Sequence, residues 1–206
     1  MLRRLELAVV AAACSAMLIS WGCRRGSEPP KIIPLVAGKT AIKKYDANKD
    51  GRISSDELKR NPALKAEFKK VGSDNITAER IAARIQSWEE SREGVKSVRC
   101  DVRLNGRPLA GATVTFIPED FLGVKLPTAS GTTDPAGKAM MSAAGSSPDR
   151  MGVVYCGFYR VEVSKKEGGA ETIPAKYNVQ TTLGQEVAQD ADGIFEGIVF
   201  DLFASP

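Results

Sequence analysis

The chain contains no histidine. That absence removes Ser-His-Asp triads, histidine-dependent zinc hydrolysis and imidazole acid–base chemistry together. A carboxylate pair could still catalyse, but only geometry would reveal one. Cysteine is scarce, with four in 206 residues. Charge of one sign is also lacking, since 29 Lys and Arg face 25 Asp and Glu for a net charge of +4. With no basic patch interleaved with aromatics, nucleic acid is not expected as a partner. No low-complexity tract is present. Hydrophobic content of 43% and charged content of 26% are ordinary for a globular protein long enough to bury a core as one domain or two.

Long apolar runs are missing as well. The longest candidate, residues 7–19, falls short of the roughly 20 residues a spanning helix needs. It follows Arg3 and Arg4 and is stopped by Gly22, Cys23, Arg24 and Arg25, the outline of a cleaved export signal over residues 1–22. Cys23 after Gly22 resembles the acylated cysteine of bacterial lipoproteins, which implies a mature chain held on a membrane by lipid. Ser20 and Trp21 depart from that motif, so ordinary signal cleavage stays open. A rival cut before Cys14 would strand MLISWG on the mature protein. Without residues 1–22 the chain keeps 27 basic and 24 acidic side chains. Cys100 and Cys156 are then left over. In an oxidising envelope they are expected to come close enough for a disulfide, with burial as two apolar thiols as the alternative.

Beyond a polar, proline-containing tether over residues 23–35, apolar residues recur at helical spacing from 36 to 90. Leu64, Phe68 and Val71 share the i, i+4, i+7 interval, as do Ile81, Ile85 and Trp88. Asn61-Pro62 predicts a helix start, with a side-chain cap and a pre-set φ. After Gly94 the period becomes two. Val98, Cys100, Val102 and Leu104 alternate with polar neighbours up to Asn105-Gly106, a hairpin turn. Alternation returns at Ala112-Val114-Phe116, Tyr159-Val161-Val163 and Ile198-Phe200-Leu202, with turns at residues 134–137 and 168–169. The fold expected is α+β in two modules, a helical one and an antiparallel β-sandwich over residues 96–204.

The stretch DANKDGRISSDE, residues 46–57, carries chemistry of its own. Calcium takes a basket of oxygens from loop positions 1, 3, 5, 7, 9 and 12, with glycine at 6 for the sharp turn. Asp46, Asn48, Asp50, the Arg52 carbonyl, Ser54 and Glu57 fill those positions, and Gly51 is the turn. Ala41, Ile42 and Tyr45 give an entering helix its apolar face, and Ser54 with Glu57 makes an S-x-x-E start for the exit. Aligning Ile76 with Ile53 at position 8 finds a second hand. It places Lys69, Val71 and Arg80 at positions 1, 3 and 12, so that hand is read as a partner without metal. A shortened loop through Asp74, Asn75 and Glu79 lacks the closing bidentate Glu. Residues 190–196, DADGIFE, would place Val199 at position 12 and are read as a turn before the last strand.

Residues 36–90 thus resemble a bacterial EF-hand pair, the first hand intact and the second degenerate. VRLNGRPLAGATVTF (102–116), TTDPAGKA (132–139) and GFYRVEV (157–163) are similar to the transthyretin-like, carboxypeptidase regulatory-like sandwich. The combination, with IPAKYN near the end, resembles small exported bacterial lipoproteins. That resemblance implies a calcium-binding, non-enzymatic protein of the cell envelope, with calcium, the anchoring membrane and an envelope protein or polysaccharide as partners. A calcium-responsive sensor and a calcium-dependent hydrolase are the alternatives.

Overall fold

The computed structural model describes residues 31–68, 75–92, 94–146 and 152–204. The expected signal segment, Cys23 and most of the expected tether lie outside them, as do Lys69, Val71 and Asp74 of the expected second hand. The described chain is α+β and mostly β.

Among the described residues three α-helices come first: α1 (Pro34–Tyr45), α2 (Pro62–Phe68) and α3 (Ala78–Glu90). Proline sits at the start of α1 and of α2, where its missing N–H costs nothing. Asn61 Oδ1 accepts the Leu64 N–H at 2.7 Å, capping α2, and the Thr77 hydroxyl caps α3 by accepting from Arg80. Between α1 and α2 the exit from the acidic loop is one 3-10 turn, Glu57–Arg60. It can go no further, because the residue before a proline is pushed out of the helical region and Asn61 sits at φ −127°, ψ 89°. Among the described residues no helix is long and apolar enough to cross a membrane.

Thirteen strands follow: β1 (Val95–Ser97), β2 (Arg99–Leu104), β3 (Arg107–Pro108), β4 (Thr113–Pro118), β5 (Ala129–Thr132), β6 (Lys138–Met140), β7 (Ser142–Ala143), β8 (Val153–Tyr155), β9 (Gly157–Ser164), β10 (Lys166–Glu167), β11 (Ala170–Glu171), β12 (Leu183–Val187) and β13 (Ile198–Leu202). One sheet runs β12-β9-β4-β5-β7; another runs β13-β2-β3, with β6 also on β2. Their apolar faces meet, Phe116 of β4 lying edge-on to Phe200 of β13 at 6.3 Å between ring centres. Asn105 and Gly106 take the positive φ of the β2–β3 hairpin, 52° and 76°. Gly137 at φ 77° closes the turn into β6, its N–H donating to the Asp134 carbonyl.

Two features differ from the sequence reading. β13 pairs with β2 in parallel, Phe200 opposite Val102, because the chain reaches it from β12 on the other sheet by a crossover instead of a hairpin. The helical and strand portions also share one continuous core. Phe158 of β9 is ringed by Trp88 of α3 at 4.9 Å, Phe121 at 5.9 Å and Phe68 of α2 at 6.5 Å. Gly184 of β12 lets α2 lie against the strand: a Cβ there would come within 2.1 Å of the Pro62 carbonyl carbon. Gly38 does the same between α1 and the start of α3, where a Cβ would meet the Ala78 oxygen at 2.1 Å.

Candidate metal loop and its supports

The acidic loop leaves α1 at Asp46 and turns back on itself. Lys49 and Gly51 both hold positive φ, 61° and 85°, and the Asp and Asn side chains satisfy the backbone this exposes. Asp46 Oδ1 accepts from the Lys49 N–H at 2.6 Å and its Oδ2 from Gly51 at 2.8 Å. Asn48 Oδ1 accepts from Asp50 and Asp50 Oδ1 from Arg52, both at 3.0 Å. Glu57, only 8% exposed, folds back over this turn. Its Oε2 accepts from the Ser54 N–H at 2.9 Å and the Ser54 hydroxyl at 2.8 Å, while Oε1 accepts from Ala47 at 2.7 Å and Asn48 at 3.2 Å. These donors, the Ser54 N–H foremost, hold the Glu57 carboxyl down to about 2, against the cost of its desolvation.

Ile53 is bridged to Ile76, the residue set against it in the sequence comparison of the two stretches. Ile53 and Ile76, both fully buried, exchange two backbone hydrogen bonds of 2.9 and 3.1 Å in an antiparallel bridge. Arg80, in the register of the closing carboxylate, is committed elsewhere: its N–H caps on Thr77 and its guanidinium lies 5.6 Å from the centre of the Phe68 ring.

The donor set is all oxygen, the chemistry a hard cation such as calcium selects. Asp46, Asn48, Asp50, the Arg52 carbonyl, Ser54 and Glu57 are gathered in one loop, and Glu57 brings its end against its beginning. The three carboxylates are each engaged by loop N–H groups. Among the described residues no three acidic, cysteine or histidine side chains are grouped closely enough to hold a metal between them.

No protein-family model, curated protein or solved structure matches this chain.

The loop is tied to the sheets at its entrance. Tyr45, just before Asp46, donates to Glu119 Oε2 at 2.9 Å and meets Phe121 edge-on at 6.3 Å; Lys44 pairs with Asp120. Burial pushes the Tyr45 hydroxyl up to about 12 and raises Glu119.

Cys100 and Cys156 require a correction. They are not disulfide-bonded but stand as two buried thiols. Cys100 sits in β2 opposite Ala139 and Ile198, whereas Cys156 lies between β8 and β9, its N–H donating to the Gly94 carbonyl. Burial raises both, Cys156 to about 11.

Sequence reasoning missed a buried ionic junction. Arg84 of α3 grips Glu186 of β12 through Nε at 2.6 Å and Nη2 at 3.0 Å, and reaches Asp190 at 2.8 Å. Trp88 Nε1 donates to the same Glu186 at 2.7 Å, and Glu67 of α2 stands 3.5 Å from Arg84. Glu186 is 2% exposed; burial pushes its carboxyl up, and Glu67 beside it adds to that. One clue was present: Arg84 falls on the Ile81–Ile85–Trp88 side of the helix, four residues before Trp88, as a charge beside an apolar stripe. Two cavities adjoin it, about 110 Å³ beside Glu67 and Glu186 and about 280 Å³ beside Trp88 and Asp190, both below the roughly 300 Å³ where ligand pockets begin. With both Glu186 oxygens taken, this carboxylate group is a fastening.

Proposed function

We propose that this chain is a calcium-binding, non-enzymatic protein of the cell envelope, held on a membrane through Cys23. In this reading an EF-hand pair stabilises a transthyretin-like sandwich, which engages an envelope protein or polysaccharide. Asp46, Asn48, Asp50, the Arg52 carbonyl, Ser54 and Glu57 would hold the ion; calcium would supply positive charge that ties three carboxylates into one loop. The observation that carries the reading is Glu57 folded back onto Ala47 and Asn48, which sets the closing ligand over the loop's first turn. The Ile53–Ile76 bridge supports pairing of the two hands.

The packing favours a stabilising ion over a switch. A sensor must open its helices to expose an apolar face, but α2 and α3 already spend theirs on the sheet through Phe68, Trp88 and Phe158. Opening would strip that aromatic cluster and break Arg84 from Glu186. A filled site adds about 2.7 kcal/mol at a hundredfold excess of ion over the dissociation constant. Thermal melts with and without calcium test this. Glu57→Gln is expected to abolish the calcium-dependent rise in melting temperature, and Glu79→Gln to keep most of it. A full rise in Glu57→Gln would refute the assignment.

A further inference from the structure

We propose that the outer face of α1 rests on an anionic phospholipid surface, with Ile33, Leu35 and Val36 entering the interface and Lys39 and Lys43 meeting lipid phosphates. This rests on the anchored reading above and assigns it a face. The inner side of α1 is committed, Ala37, Gly38 and Ala41 being buried. The opposite side is bare: Ile33, Leu35 and Val36 are 61%, 45% and 52% exposed. Leu35, Lys39 and Lys43 follow one another at four-residue steps, so the exposed apolar end passes directly into exposed lysines. That is the pattern of a helix lying in a membrane interface.

Two further observations select the occupant. Residues 31–45 contain four lysines and no acidic residue, and among the described residues Lys44 is the one that forms an ion pair, with Asp120, while Lys39 is near enough to Glu79 to attract it. The chain after residue 45 carries 21 basic against 23 acidic side chains. The positive excess is therefore concentrated on the segment nearest Cys23, where an anionic surface would meet it. Seven residues separate Cys23 from Lys31, a reach of roughly 25 Å at full extension. An anchor at Cys23 would thus keep the start of α1 close to the bilayer, and the apolar end of the face is the end nearest the anchor.

The test uses the mature protein purified from membranes of an expressing host, with an environment-sensitive dye on Val36→Cys, or for comparison on Val179→Cys, which is 82% exposed on the strand portion. Vesicles are phosphatidylcholine alone or mixed with phosphatidylglycerol. Flotation with neutral vesicles and intact mass report the anchor; the dye reports the face. The expected result is flotation with both lipids, a blue shift at Val36 with anionic vesicles that high salt reverses, and none at Val179. Lys39→Gln with Lys43→Gln should lower the docked-to-undocked ratio by roughly 25-fold, about fivefold per lysine. Flotation without a Val36 shift overturns the docking face and leaves the anchor standing. Without flotation, a Val36 shift on anionic vesicles still supports the face, and its absence overturns it. A shift that follows protein concentration in the absence of lipid identifies a second copy as the occupant and also overturns it.

Discussion

Around Glu57, three N–H groups and a hydroxyl converge on one carboxylate, so the side chain proposed to close the loop around an ion already orders it. The loop's oxygen-bearing side chains and its turn were legible in the sequence, because their spacing is local and one glycine, Gly51, sets the turn. The cysteines were not legible in that way. Cys100 alternates with polar neighbours in the manner of an inward residue and Cys156 stands just before the Tyr159 strand, which says nothing about whether they meet. Both thiols are shielded and held protonated by burial, and thiolate is the reactive form. Alkylation of the native, unreduced protein should therefore be slow at both. In denaturant without reductant both should label promptly, as peptide mapping would show. Protection that persists in denaturant until reductant is added would restore the bridge.

Among the elements, the period-two runs were read correctly because those strands bury alternate residues, as Ile198, Phe200 and Leu202 do in β13. Its parallel pairing was not readable, since alternation is the same for either strand direction. The docking of α2 on β12 was hidden for another reason. It depends on a glycine, Gly184, whose role is to be absent as a side chain. Gly184→Ala would drive a Cβ into the Pro62–Ala63 backbone, and overpacking of this kind costs typically 1–3 kcal/mol. Urea unfolding should show a loss of that size. An unchanged Gly184→Ala midpoint would mean that α2 does not pack on β12 this closely.

In the whole molecule, helices and strands are fastened by Arg84 and Trp88 of one helix and by Glu186, about a hundred positions further along, beyond the reach of periodicity and spacing. The shared core predicts one unfolding event: Trp88 fluorescence and far-ultraviolet circular dichroism should follow the same curve. It also predicts a pH dependence. Because burial raises the Glu186 carboxyl in the folded state, the fold holds a proton there that the unfolded chain releases above about 4.3. The stability linked to that proton is full below this value and is lost as pH climbs through the raised one. Glu186→Gln should flatten that decline in urea midpoints measured across the range; an equal slope in wild type and variant would remove Glu186 as its source. The central claim, one ion in one intact loop, is tested most directly by calorimetric titration of calcium into the mature protein. One site per chain is predicted, with a dissociation constant on the order of 10⁻⁵ to 10⁻³ M and loss of the heat in Glu57→Gln. Two sites per chain, or none at millimolar calcium, would contradict it.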